Sequence, residues 1–333
     1  MKNWIFFLVA LFLISGFSPT IKPGENPESI TNIPRWNYYN RSLSNNFLRW
    51  SGSKLGSDWY NNSLLGNSAE TDKAPDAVFF NNKIFLFYRG NTSSKIYVSY
   101  STDGSNWLGN FSIGESPSTT GPGAVVFNGQ IFVFFVYGNL INYYVSSNGL
   151  DYSGPYSISQ DIAIQSPGID FPDNLEPAAI SAEGYIFLFF VHGSAISVLR
   201  TEDGIGWTDY FYGQFPGEQT LDGLTATYVN DEVILCFSGR YTKKLREKRA
   251  SISDYGDLFW TTGTAEAPQI LGAYTDEKPD IAASINGTSV VVYKGLNSNE
   301  IFYAISYGNG WYGNNPAYGA TNKGLGIVNT DGG

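Results

Sequence analysis

One small hairpin recurs six times along this chain. "STDGSNW" (101–107) follows the alternating run "KIYVSY", and its variants are "SKLGSDW" (53–59), "SSNGLDY" (146–152), "TEDGIGW" (201–207), "SDYGDLFW" (253–260) and "ISYGNGW" (305–311). The glycine admits the positive φ that a tight turn needs, and the Ser/Thr and Asp side chains can bond nearby backbone N–H groups. Ser101, Asp103, Gly104 and Trp107, and likewise Thr201, Asp203, Gly204 and Trp207, therefore read as structural residues, with the aromatic free to wedge between repeats.

Ahead of five of these hairpins lies a longer apolar pattern, clearest in "PDAVFFNNKIFLFYRG…KIYVSYSTDGSNWLGNFSIG". The other copies start at "PGAVVFNGQIFVFFVYG", "PAAISAEGYIFLFFVHG", "LTATYVNDEVILCFSGR" and "PDIAASINGTSVVVYKG". Asn81-Asn82, Asn128-Gly129, Glu183-Gly184, Asn230-Asp231 and Asn286-Gly287 stand where two-residue hairpin turns would join the first two strands. Four strands per unit at a period of about 45 to 56 residues is the signature of a β-propeller blade. With 37 Gly, 23 Tyr, 23 Phe and 8 Trp against 15% charged residues, the composition suits many short strands joined by turns. No stretch after residue 20 keeps a helical period for three turns.

The expected architecture is all-β: a propeller of four-stranded antiparallel blades over residues 34–333. Five units are complete. "FLRWSGSKLGSDWYNNSLLG" and "RWNYYN" near the start, with "GLGIVN" at the end, would make a sixth, so the ring would be closed by both termini and expose no sheet edge. Five blades is the alternative, if the N-terminal piece lies outside the ring.

"MKNWIFFLVALFLISGF" opens the chain with one Lys and a short apolar run, which reads over 1–19 as a signal peptide or, uncleaved, a membrane anchor. Residues 20–33 are a polar spacer. The body is accordingly expected to be secreted or on an extracellular surface, with sequons at Asn40, Asn61, Asn91, Asn110 and Asn286 available to a glycosylating host. A net charge of −10 argues against nucleic acid. One Cys (Cys236, inside the apolar "VILCF") and one His (His192) leave no disulfide framework and no Cys/His metal centre. No cofactor is expected; Ca²⁺ on the Asp/Asn/Gly loops is the single alternative, and none of those loops has EF-hand spacing.

The hairpins resemble the Asp-box of sialidase-like propellers, Ser/Thr-x-Asp-x-Gly-x-x-Trp, although here Gly follows Asp directly in Ser101-Thr102-Asp103-Gly104 and Thr201-Glu202-Asp203-Gly204. Asn148 replaces the acid once, and Leu55, Tyr255 and Tyr307 elsewhere. The repeat is also similar to that of secreted propeller lectins and, in its strand pairs, of five-bladed furanosidase-type glycosidases. The resemblance spans about residues 40–333 and implies architecture more than activity, since propellers carry unrelated functions.

Meander connectivity sends the loops before each first strand and the ends of each second strand to one face. Asp76, Glu176, Asp222 and Asp280 precede innermost strands, with Gly123 at the matching place in the second unit. Arg89, Tyr137, His192, Arg240 and Lys294 end second strands beside a recurrent Gly, and their variety is what a ligand face would show. The expected function is carbohydrate binding, lectin-like and without catalysis, with glycans as partners held by these five rim residues. The alternative is a glycoside hydrolase, sialidase- or furanosidase-like, in which two of the four acids would do the chemistry. The furanosidase resemblance counts against it, because the middle of the three acid-bearing inner strands reads "GPGAVV", and "NIPRW" is a poor sialidase arginine motif. A third reading is a protein-docking or structural surface component, using the basic run "RYTKKLREKR" (240–249), otherwise read as a solvated loop. Membrane contact is expected only through an uncleaved N-terminal segment.

Overall fold

The computed structural model describes residues 36–41, 48–53, 60–66, 68–138, 140–158, 176–192, 195–209, 220–260, 268–308, 310–321 and 325–330. The leader and spacer readings (1–33), and the hairpin residues 54–59, lie outside the described residues. Residues from Ile33 onward form one compact unit.

In chain order the strands are β1 (Trp36–Arg41), β2 (Leu48–Ser53) and β3 (Tyr60–Leu64); β4 (Asp76–Phe80), β5 (Lys83–Arg89), β6 (Lys95–Ser101) and β7 (Leu108–Pro117); β8 (Gly123–Phe127), β9 (Gln130–Tyr137), β10 (Leu140–Ser146) and β11 (Ser153–Ser157). They continue with β12 (Ala178–Ala182), β13 (Tyr185–His192), β14 (Ala195–Thr201) and β15 (Thr208–Asp209); β16 (Leu224–Val229), β17 (Glu232–Ser238), β18 (Lys244–Ile252), β19 (Leu258–Trp260) and β20 (Gln269–Tyr274). Last come β21 (Asp280–Ala283), β22 (Ser289–Lys294), β23 (Glu300–Ser306), β24 (Trp311–Ala320) and β25 (Gly326–Asn329).

The described strands pair antiparallel in meanders: β4–β7, β8–β11, β12–β15, β16–β19 and β21–β24, with β20 added to β18. A further sheet has the order β25-β1-β2-β3 and joins residues from the two ends of the chain, Trp36 opposite Asn329 and Tyr39 opposite Gly326. The chain is an all-β propeller of four-stranded antiparallel blades.

Second strands read as continuous apolar runs rather than alternating ones because both faces of a blade are covered by neighbours. In β5, "KIFLFYR", everything between the end residues is buried. The apolar core is accordingly a set of layers between adjacent blades. One holds Phe85, Phe87 and Val98 against Val133 and Phe135, and the next holds Phe132 and Phe134 against Ile186 and Leu188. Cys236 is a free, fully buried member of such a layer.

Four of the five expected two-residue turns form. Asn81 and Asn82, Asn128 and Gly129, Glu183 and Gly184, and Asn230 and Asp231 all have positive φ at both positions. Asn286-Gly287 does not. There Ser284 N–H bonds Thr288 O and Gly287 N–H bonds Ser284 O, so the connection is longer and only its glycine, at φ 85°, is left-handed.

The recurrent hairpin joins third to fourth strands and clamps one blade to the one before it. Within it, Ser101 Oγ accepts the Gly104 N–H (2.9 Å), and Asp103 Oδ1 accepts those of Ser105 (2.8 Å) and Asn106 (2.7 Å). Thr201, Asp203 and Gly204 repeat the pattern, and Asn148 does the same work as the acid. Outside it, a Cβ on Gly149, Gly204 or Gly256 would lie 2.3–2.6 Å from Phe85, Phe132 or Tyr185 of the preceding blade. Trp107 meets Tyr39 and Trp207 meets Phe134 edge to face, and Trp311 Nε1 donates to Glu247 (2.7 Å).

The basic run 240–249 is not a solvated loop. From Lys244 it is strand β18, with Arg246 and Lys248 only 4% and 2% exposed. Arg249 pairs with Glu232 (3.0 Å) and Glu247 (3.3 Å). Sequence reading missed this because charged residues at alternate positions look like a solvated stretch when their acidic partners lie elsewhere in the chain.

Candidate functional site at the propeller hub

The innermost strands β4, β8, β12, β16, β21 and β25 touch one another in a cycle and line an axial cavity of about 240 Å³. Strand register puts equivalent residues at the same height around it. Asp76, Gly123, Ala178, Thr225 and Asp280 face Phe87, Phe134, Phe189, Cys236 and Val292 of their second strands. Two residues earlier in the chain stand Ala74, Gly121, Glu176, Gly223 and Lys278. Asp76, Ala178, Thr225 and Asp280 of the first layer and Lys278 of the second line the cavity.

In the first layer the carboxylates hold strands. Asp76 Oδ1 accepts its neighbour Ala77 N–H (2.7 Å), and Oδ2 accepts Ala124 N–H of the next blade (2.8 Å). Asp280 Oδ1 accepts the Thr225 hydroxyl (2.5 Å) from the blade before, and Oδ2 accepts Ile327 N–H (2.6 Å) from β25. Where no acid stands, glycine lets backbones meet. A Cβ on Gly123 would lie 2.2 Å from Pro177 O, and one on Gly326 2.7 Å from Pro75 O.

The second layer is different. Glu176 and Lys278 are both buried, yet among the described residues neither has a hydrogen-bond partner, nor an ion pair close enough to be a contact. The small residues Gly121 and Gly223 make room for them, since a Cβ there would strike Glu176 or Lys278 at 2.8 Å. Burial alone would lower the pKa of Lys278, but Asp280, Asp76 and Glu176 outweigh it and raise it, so the ammonium stays charged. Burial, then the charge of Asp280, pushes Asp76 up to about 7, against the pull of Lys278 and two backbone N–H groups. Asp280 is raised by burial too, moderated by Lys278 and Thr225.

A buried charge without a hydrogen bond is costly, so Lys278, which lines the cavity, favours a group that accepts a hydrogen bond, and Glu176 one that donates. A hydroxyl group satisfies both: its oxygen accepts from the ammonium and its hydrogen goes to the carboxylate.

The other residues singled out from sequence fall elsewhere. Asp222 does not join Asp76, Glu176 and Asp280. Its carboxylate takes two bonds from Lys243 Nζ (2.9 and 2.6 Å) and a third from the Ser238 hydroxyl (3.0 Å). Arg89 bonds Asp72, Ser118 O of the next blade (2.7 Å) and Ser94 Oγ (2.6 Å), and Lys294 bonds Asp276 (2.5 Å). Asp72, Asp222 and Asp276 thus play one part three times, pinning the loop before an innermost strand to a cation of the same blade. Tyr137 is exposed, and Arg240 lies over the Tyr241 ring (5.0 Å). His192 ends β13, and its side chain lies outside the described residues.

Nor do the five rim residues share one position. Arg89 and Lys294 stand two residues beyond the partner of the innermost strand's first layer, Tyr137 and His192 three, and Arg240 four. Aligning them on the recurrent glycine obscured this, because the second strands end at different lengths.

No protein-family model matches the chain, and no curated protein matches it. Solved structures do. An alpha-L-arabinofuranosidase from Clostridium thermocellum aligns at 14% identity over 75% of this chain and 95% of that one, with a TM-score of 0.52. AofleA from Arthrobotrys oligospora aligns at 12% identity over 89% and 90%, with a TM-score of 0.59. A Hadza microbial sialidase aligns at 13% identity over 81% and 66%, with a TM-score of 0.53. The likeness is one of fold.

Sequence reasoning missed Lys278 and Thr225. The signal was present: Glu176-Pro177 and Lys278-Pro279 are the same step of the repeat, an ionisable residue before the proline that precedes an innermost strand. Counting acids alone hid the cation among them.

Among the described residues no group of three His, Cys, Asp or Glu is arranged to hold a metal ion, and no helix is long and apolar enough to cross a membrane.

Proposed function

We propose that this protein is a carbohydrate-binding propeller of six blades, closed by both ends of the chain, that recognises glycans on a surface without cleaving them, and that the hub is its site. The observation carrying this reading is the contrast between the two polar layers. The oxygens of Asp76 and Asp280 already hold strands, whereas Lys278 and Glu176 lack hydrogen bonds among the described residues and Lys278 lines the cavity. Sugar hydroxyls would complete both. The Asp-box-like hairpins and the pairing of β25 with β1 support the architecture, and two of the structural relatives are glycosidases by name. Secretion, glycosylation and the absence of a bound cofactor belong to the same reading.

A second reading is a glycoside hydrolase at the same hub. It is favoured by Asp76, whose pKa of about 7 is where a general acid works at neutral pH, with Glu176 as a second carboxyl.

The experiment is a glycan array on the whole protein, with bound sugars recovered and checked for cleavage, repeated on Lys278→Met. Retention of intact glycans, lowered at least ~10-fold by the substitution at unchanged melting temperature, is the expected result. Cleaved sugars would turn the assignment to the hydrolase, and no retention would overturn both.

A further inference from the structure

Two blades carry the same unusual device on their outer strands. In one, Tyr88 of β5 stacks on Tyr97 of β6 (5.9 Å between ring centres, 19° between planes) and its hydroxyl donates to Asn110 Oδ1 (2.5 Å). In the other, Tyr293 of β22 stacks on Phe302 of β23 (5.9 Å, 20°) and its hydroxyl donates to Asn314 Oδ1. Each asparagine follows a glycine in the fourth strand where the register shifts, and each has a positive φ, 87° for Asn110 and 107° for Asn314. A non-glycine residue at such an angle persists only when its surroundings hold it there, and bulges of this kind re-aim side chains. With its carbonyl held by Tyr293, Asn314 has its NH₂ left as the donor.

The space beside this device opens into a cavity of about 420 Å³ in the second of the two blades. The walls around the two devices differ in sequence. The residue before Thr71 is Glu70, whereas the residue before Thr275 is Tyr274, and beyond the end of the second strand Asn91 is replaced by Leu296. Tyr274, 40% exposed, comes from β20, and its carbonyl accepts the Leu296 N–H (3.0 Å), which fixes the two walls together. Ser298 lies at the rim, its oxygen accepting the Glu300 N–H (3.0 Å) while its own proton stays available. No acid or base lines the groove.

We infer that this groove is a second ligand site, separate from the hub, and that it takes a neutral saccharide ring. The C–H face of a pyranose lies flat on an exposed tyrosine, and its hydroxyls reach the Asn314 amide and the Ser298 hydroxyl. A cavity of this size suits one to two rings, and the lack of an arginine or lysine leaves a carboxylated sugar nothing to pair with. The twin device at Asn110 lacks the aromatic floor, so of these two blades the second carries the site.

The test is saturation-transfer NMR on the whole protein with methyl β-D-galactoside, methyl β-D-glucoside and methyl α-D-mannoside as neutral probes and N-acetylneuraminic acid as the charged one. At least one neutral glycoside should receive saturation, and Tyr274→Ala, a change at an exposed position, should cut its affinity ~10-fold or more. Lys278→Met should leave the Tyr274-dependent part of that signal in place. Signal from N-acetylneuraminic acid alone, no neutral signal, or a neutral signal that survives Tyr274→Ala and disappears with Lys278→Met would each overturn the groove. The last of these would leave the hub reading standing.

Discussion

Asp280 Oδ2 accepts the Ile327 N–H at 2.6 Å, so an acid at the head of one innermost strand holds the strand made by the last residues of the chain. Its other oxygen takes the Thr225 hydroxyl from the opposite neighbour, and Thr225 Oγ1 in turn accepts Ile281 N–H (3.3 Å). Three sheets meet at one carboxylate. Asp280→Ala should lower unfolding free energy by ~2–4 kcal/mol, because it leaves a buried N–H and hydroxyl unpaired. Thr225→Val should cost ~1 kcal/mol, and the double variant less than the sum. Urea denaturation of the three proteins measures this.

The hub also gives stability a definite pH dependence. Asp76 titrates at about 7 in the folded protein against an ordinary 3.8, so between these values the folded state holds a proton that the unfolded state has released. Stability should therefore fall as pH rises from about 4 to 7, and Asp76→Asn should flatten the slope. Asp103 and Asp203 act in another window. Their pKa values are lowered, for Asp103 because the Asn106 and Ser105 N–H bonds outweigh burial and for Asp203 by those of Ile205 and Gly206. What they contribute is present above 3.8 and lost only as pH falls below it. Unfolding midpoints from pH 4.5 to 7.5, compared between the unchanged protein and Asp76→Asn, separate the Asp76 effect from that of Asp280.

Gly149→Ala should be far more damaging than a usual glycine substitution. A Cβ there lies 2.3 Å from the Phe85 ring of the preceding blade, and φ is 77°. The change should cost ~2–4 kcal/mol through overpacking and backbone strain together. Gly129→Ala, at φ 70° with open space around the added carbon, should cost only ~1 kcal/mol, so thermal melts of the pair separate the clash from the strain.

Arg89→Ala should lower stability by ~1–3 kcal/mol and leave glycan retention unchanged. Its guanidinium joins Asp72, Ser94 and, across to the next blade, Ser118 O. A loss of retention at full stability would return Arg89 to the ligand face on which its place in the sequence had put it.

Turn chemistry and apolar patterning specify the repeat, its four-strand unit and the job of the hairpins. Those features are local: Gly104 and Asn82 state their turn whatever surrounds them, and an apolar run such as "KIFLFYR" states that both its faces are covered. Which polar residues already have partners depends on how the loops and strands pack together. Arg89, Lys294 and Asp222 look available in the chain because Asp72, Asp276 and Lys243, 17 to 21 residues away, are not visibly their partners. The hub was half legible. Asp76 and Asp280 could be placed at strand heads by counting, but whether they would bond backbone, ligand or each other depends on how the innermost strands are staggered about the axis. That stagger is fixed by contacts between blades about 50 residues apart in sequence, and the spacing of one repeat says nothing about it.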